Sequence, residues 1–72
     1  MKLPVLSALE VVRILKKNGF EKKGQRGSHM RFKKHDGTRM RTVFVPNYPE
    51  LHRAVLMSII RQSGLAKEDF CS

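Results

Sequence analysis

Ser28-His29-Met30-Arg31-Phe32-Lys33-Lys34-His35-Asp36-Gly37-Thr38-Arg39-Met40-Arg41-Thr42-Val43-Phe44-Val45 is the stretch from which the rest of the chain can be placed. It alternates apolar and polar residues on both sides of Asp36-Gly37, a dipeptide that favours a type I′ turn because both central positions need positive φ. With the turn there, His35 faces Thr38, and counting back pairs Phe32 with Arg41, Met30 with Val43 and Ser28 with Val45. The intervening pairs are Lys33 with Met40, Arg31 with Thr42 and His29 with Phe44. Successive side chains point to opposite faces of a strand. Met30, Phe32, Val43 and Val45 therefore share one side, and His29, Arg31, Lys33 and Phe44 the other. The first set makes the better core, so His29 is expected to face outward beside Arg31 and Lys33.

Upstream, Gly24-Gln25-Arg26-Gly27 reads as a turn or loop that returns the chain from a short strand over Phe20 to Lys23. Before it, Ser7 and Glu10 have the spacing of a capping box, with Leu6 and Val11 placed for a hydrophobic staple. Ala8, Val11, Val12 and Leu15 recur at helical spacing, Lys16 and Lys17 suit the negative end of the dipole, and Asn18-Gly19 ends the helix.

Downstream, Pro46 stops strand pairing. Asn47 or Tyr48 is the expected cap of a second helix, with Pro49 in its first turn and Glu50 beside the positive end of the dipole. Val55, Leu56 and Ile59 centre its apolar stripe, Leu51 and Ile60 lie at the margins, and His52 maps onto the stripe as a packed side chain. Met57 falls on the opposite side, between Arg53 and Arg61. Gly64 ends the helix with Leu65 after it, and Lys67 to Phe70 makes a short turn that tucks Phe70 inward. The order is helix, three antiparallel strands, helix. This predicts an α+β fold with both helices packed on one sheet face and the other face left open.

Seventy-two residues predict one domain over 1–72. Fifteen Lys and Arg against six Asp and Glu give a formal charge of +9. Eleven of those cations lie from Arg13 to Arg41, where the acidic residues are Glu21 and Asp36. Such an imbalance suits a polyanion, with nucleic-acid phosphates first and an acidic protein surface second. A lone cysteine, Cys71, excludes an internal disulfide and any multi-cysteine metal site. His29, His35 and His52 are scattered without acidic companions, and carboxylates are too few for two-metal hydrolysis, so no metal is expected. The glycines fit neither a Walker loop nor a dinucleotide fingerprint, and no cofactor is expected. With no long apolar run and no leader-like segment, the chain is expected to be cytoplasmic and off the membrane.

One imidazole among cations has a specific chemical use. RNA carries its own nucleophile, the 2′-hydroxyl, so cleavage needs a base for that proton, cations for the phosphate, and a proton for the leaving 5′-oxygen. Histidine suits the base because its ordinary pKa lies near 6.5, and cations beside developing phosphate charge lower the barrier. The candidate base is His29. Arg26, Arg31 and Lys33 are the candidate phosphate ligands, with Gly27 and Ser28 in the adjoining turn and Lys22 and Lys23 widening the RNA-attracting surface. A non-catalytic module that binds double-stranded RNA is the alternative.

Gly27-Ser28-His29, Val43-Phe44-Val45-Pro46, and Ile59-Ile60-Arg61-Gln62-Ser63-Gly64-Leu65 followed by Glu68-Asp69-Phe70 together resemble the HicA (YcfA-like) toxin family. The resemblance implies a double-stranded-RNA-binding-like fold of the order already read. It also implies an mRNA interferase of a type II toxin–antitoxin pair that works without metal through the histidine aligned with His29. The implied partner is a HicB antitoxin that covers the active face, with operator DNA contacted only through the antitoxin. Met30 stands where many members carry a second histidine, and Ala54-Val55-Leu56-Met57 stands where Gly-Thr-Leu-Arg is common.

Overall fold

A computed structural model describes residues 4–71. Its first helix, α1 (Ala8–Lys17), starts at Ser7 in a reciprocal capping box. The Glu10 N–H donates to the Ser7 hydroxyl at 3.1 Å, and the Ser7 N–H donates to Glu10 Oε1 at 3.0 Å. Two of the backbone donors that every helix start exposes are satisfied in this way. Ala8, Val11 and Leu15 are buried on one face. The helix ends at Asn18, whose side-chain amide donates to the Ile14 carbonyl at 2.8 Å.

Strands β1 (Glu21–Arg26), β2 (His29–His35) and β3 (Met40–Pro46) form an antiparallel sheet in the order β1-β2-β3. The expected loop at Gly24 to Gly27 is corrected here. The strand continues through Gly24 to Arg26, and the turn is Gly27-Ser28 alone. The register slips between Lys22 and Gly24, which sets Gly24 opposite Arg31. Gly24 thus marks a bulge and a close approach by a neighbouring side chain, the other common use of glycine in a strand.

A second correction concerns the hairpin between β2 and β3. The observed pairs are His35 with Met40, Phe32 with Val43, Met30 with Val45 and His29 with Pro46. The Asp36 N–H donates to the Arg39 carbonyl at 3.0 Å, which closes a longer loop than the expected type I′ turn. Asp36 Oδ1 holds that loop by accepting from the N–H groups of Thr38 and Arg39 and from the Thr38 hydroxyl, all at 3.0–3.2 Å. An Asp side chain that mimics a backbone turn competes with the tighter geometry. Because the shift is an even number of residues, no side chain changes face. Met30, Phe32, Val43 and Val45 are buried as expected, and His29, Arg31 and Phe44 are exposed.

The second helix, α2 (Arg53–Ser63), starts later than expected, with His52 rather than Asn47 or Tyr48 as its N-cap. The Leu51 N–H donates to the Leu6 carbonyl at 2.7 Å and the Ala8 N–H to the Tyr48 carbonyl at 3.0 Å. These bonds hold the segment before α2 extended against the segment before α1. Leu51 and Leu6 are buried there, and Pro49 and Glu50 precede the helix rather than open it. His52 consequently lies exposed instead of packed. Met57 is half-buried rather than solvent-facing, since its flexible side chain reaches back to the core margin.

Leu56, Ile59 and Ile60 of α2, the apolar stripe of α1 and the inner sheet face form one buried cluster. Phe70, on a short 3-10 helix (Lys67–Phe70), joins the same cluster. Both helices therefore cover one face of the sheet. The other face is open, in the helix, three strands, helix order read from the sequence.

Candidate nucleic-acid interface

The open face is arranged in rows across the strands. Arg26 of β1 and Pro46 of β3 flank His29 in one row. Gly24 and Phe44 flank Arg31 in the next, and Glu21 and Thr42 flank Lys33 in the third. Directly opposed residues of an antiparallel pair share a face, and diagonal neighbours stand roughly 7–8 Å apart. His29 thus has Arg26 as a direct neighbour and Phe44 as a diagonal one.

Two shallow depressions meet at His29 and Phe44. One, of about 570 Å³, is lined by Gly24, Gln25, Arg26, His29, Arg31 and Phe44. The other, of about 340 Å³, is lined by His29, Phe44, Pro46 and by Ala54, Val55, Ser58 and Ile59. The first holds charge and the second is mostly apolar.

Local packing positions each of these side chains. Arg31 lies over the bulge in β1, where its Nη2 donates to the Lys23 carbonyl at 3.4 Å. A Cβ at Gly24 would stand 3.2 Å from that nitrogen. Phe44 is held at the sheet edge by α2, since its N–H donates to Gln62 Oε1 at 2.9 Å. Gln62 Nε2 in turn donates to Ser58 Oγ at 3.1 Å. The turn before His29 is tied down by the Asn47 N–H, which donates to the Ser28 carbonyl at 2.6 Å.

Among the described residues the ion pairs are Lys23 with Glu21 and Arg41 with Asp36, at 2.9 and 2.7 Å. Neither engages Arg26, Arg31 or Lys33, so the open face keeps a surplus of positive charge. Lys23 holds the Glu21 carboxyl below its ordinary pKa by hydrogen bonding and charge. The hydrogen-bond donors of the Arg39 backbone, the Thr38 backbone and the Arg41 side chain hold Asp36 far below its own.

The sequence-derived candidates are brought together in part. His29, Arg26 and Arg31 share the charged depression, and Gly27 and Ser28 form the exposed turn at its end. Lys33 lies on the same face but is half-buried beside Glu21. Lys22 stands opposite Phe32, on the helix side of the sheet, and its Nζ donates to Gln25 Oε1 at 2.8 Å. Lys23 sits at the bulge, paired with Glu21. His35 lies at the far end of β2, roughly 20 Å from His29 at the usual strand rise, and its Nδ1 accepts from the Gly37 N–H. Among the described residues no group of three or more His, Cys, Asp or Glu is placed to hold a metal ion.

Three features that line these depressions carry no role in the sequence reading: Phe44, Gly24 and the outer surface of α2. An aromatic residue at an outward position of an alternating strand is the signal that marked Phe44. No sequence pattern brings Ala54, Val55 and Ser58 to the face of His29, because that depends on how α2 lies along β3.

A family model described as the HicA toxin of bacterial toxin–antitoxin matches residues 8–65, from the first residue of α1 to just past the cap of α2. No curated protein gives a match. Among the described residues no helix is long and apolar enough to cross a membrane.

Proposed function

The chain belongs to the HicA toxin family of bacterial toxin–antitoxin systems, and from that premise we propose that it is an mRNA endoribonuclease with His29 as its base. A toxin of such a pair has an antitoxin partner. The observation that carries the enzymatic reading is the position of His29. Its exposed side chain stands in the row between Arg26 and Pro46, on a face where, among the described residues, Arg26 and Arg31 form no ion pair.

In this mechanism the His29 imidazole takes the proton of a ribose 2′-hydroxyl. The 2′-oxygen attacks the adjacent phosphorus, the bond from phosphorus to the 5′-oxygen breaks, and the leaving oxygen takes a proton from solvent water, to which the His29 imidazolium later returns its own. The products are a 2′,3′-cyclic phosphate and a 5′-hydroxyl. Arg26 and Arg31 neutralise the charge that builds on the phosphate oxygens, where fixed cations stabilise a transition state most. Lys33 and Lys23 add to the field that draws RNA to the sheet, and Lys22 acts at longer range from the edge of β1. Gly27 and Ser28 offer turn backbone to the sugar-phosphate chain. No step uses a metal, so a chelator leaves the rate unchanged.

The same face is the natural target of the antitoxin, a HicB-like protein that blocks RNA by covering His29, with operator DNA bound through that partner. The cytoplasm, where mRNA is translated, is the compartment this activity requires.

The test is cleavage of a defined RNA by the purified chain. We expect cyclic-phosphate ends from the unaltered protein and none from His29→Ala, with RNA affinity nearly equal in both. An unaltered chain that binds RNA but never cuts it would leave the alternative, a non-catalytic RNA-binding module.

A further inference from the structure

We infer that Phe44 is a stacking platform for one unpaired nucleobase beside the scissile ribose, which makes single-stranded RNA the substrate. This deepens the nuclease reading above and rests on it for the word substrate.

Phe44 and, at the far end of β3, Met40 are the large apolar side chains exposed on this face among the described residues, and Phe44 is the one beside His29. Strand alternation puts it among charged residues, directly across from Arg31, yet it is an aromatic ring left 50% exposed. An aromatic side chain left half exposed among cations points to a ligand that offers both phosphate and an aromatic surface. Nucleotides do. The ring borders both depressions, so a strand whose phosphates lie along Arg26 and Arg31 can turn a base over Phe44 into the space walled by Ala54, Val55 and Ser58. Phe44 is the diagonal neighbour of His29, which places that base on a nucleotide at or next to the bond being cut.

The platform is also braced. Gln62 accepts from the Phe44 N–H and donates to Ser58, so α2 fixes the backbone from which the ring projects. A duplex keeps its bases stacked on one another and offers edges, sugars and phosphates to a protein surface. Only an unpaired base presents a face to this ring, and aromatic stacking of that kind tolerates any base identity.

The experiment measures affinity of the full chain for a 2′-O-methyl oligonucleotide, which lacks the nucleophile, as a single strand and as a duplex. 2-Aminopurine in the strand reports stacking. Phe44→Ala and Phe44→Leu are expected to weaken single-strand binding about tenfold, as loss of one base–aromatic stack does, and to abolish the fluorescence change. Phe44→Trp is expected to keep both, and duplex affinity to move less than about twofold across the series. Leucine retains apolar bulk, so its failure is not a failure to fold.

Equal single-strand binding by Phe44→Leu and the unaltered chain overturns the inference. Unchanged RNA binding with weakened antitoxin binding also overturns it, and assigns the ring to a protein interface. If the chain never cleaves but the stacking series holds, the nuclease reading fails and the base seat stands. If it cleaves and the series is flat, the reverse follows.

Discussion

Gly24 lies beneath the guanidinium of Arg31, so close that a Cβ there would meet Nη2 at 3.2 Å. A Cβ at position 24 would push the guanidinium away by a few tenths of an ångström, enough to break its 3.4 Å donation to the Lys23 carbonyl. Gly24→Ala is expected to lift the guanidinium off the sheet and weaken RNA binding and cleavage by about threefold to tenfold. That is less than the roughly 1.5–3 kcal/mol of a whole charge-assisted hydrogen bond, because the contact is displaced rather than removed. Stability should change by less than about 1 kcal/mol, since Ala also reduces the freedom of the unfolded chain. In an Arg31→Ala background the glycine substitution should add nothing, which a double-mutant cycle checks. Arg31→Ala alone should lower the slope of log affinity against log salt by about one.

The Gln62 side chain supplies the acceptor that the outer edge of β3 lacks. Gln62→Ala is expected to speed amide exchange at Phe44 while the amides of Val43 and Val45 stay protected. It should cost about 1 kcal/mol of stability, the usual worth of one such hydrogen bond. If stacking on Phe44 depends on this brace, single-strand affinity falls less in Gln62→Ala than in Phe44→Ala.

How far the sequence could be read depended on which residues had one physical use and which had two. Met30, Phe32, Val43 and Val45 were placed correctly despite a misread register, because the slip was even and alternation has a period of two. Ser7 and Glu10 had a single use and made the expected capping box. Asp36 had two. Its pairing with Gly37 suggested a tight turn, but its carboxylate organised a longer one. Gly24 likewise served a bulge rather than a turn. The start of α2 was misplaced because Leu51 and Tyr48 are held by backbone bonds to the segment before α1, a tertiary constraint that no local pattern encodes. His29 could be placed on the open face from alternation, whereas the apolar depression beside it required α2 to be seen lying along β3.

The capping box gives a simple test of how α1 is held. Ser7→Ala removes the acceptor for the Glu10 N–H and leaves Glu10 with half of a reciprocal pair. The expected loss is about 1 kcal/mol, read as a lower urea midpoint with an unchanged slope. Ser7→Asp should recover most of it, because an Asp oxygen accepts the same bond and suits the positive end of the dipole.

Gly64 caps α2 with φ of 71°, and the Arg41 guanidinium packs over it so closely that a Cβ would lie 2.5 Å from Cζ. Gly64→Ala therefore meets two penalties: left-handed backbone strain and displacement of Arg41 from Asp36. The backbone strain costs about 1–2 kcal/mol, and the midpoint of thermal unfolding should fall by about 4–8 °C for each 1 kcal/mol in a domain of this size. Gly64→Asn should fall less than Gly64→Ala, since Asn tolerates the conformation better. A loss no greater than the backbone strain alone would mean that Arg41 moves aside without cost.

The same Arg41 contributes to the acid response through Asp36. The Arg39 backbone N–H, the Thr38 backbone N–H and then the Arg41 side chain hold the Asp36 carboxyl well below the ordinary carboxylate range when the chain is folded. A lowered folded pKa means that the unfolded chain binds the proton more readily. The stabilisation is thus fully present above the unfolded value, near 3.9 for Asp, and drains away as pH falls through the folded value. Glu10 and Glu21 are shifted in the same direction, by Ser7 and by Lys23. Unfolding free energy is expected to be flat with respect to these groups from neutral pH to about pH 5, and to decline below about pH 4. Asp36→Asn should be less stable at neutral pH and show a shallower decline in acid, because it has no proton to gain on unfolding. Urea titrations of both proteins across that range decide the point, and parallel acid declines would remove Asp36 as their source.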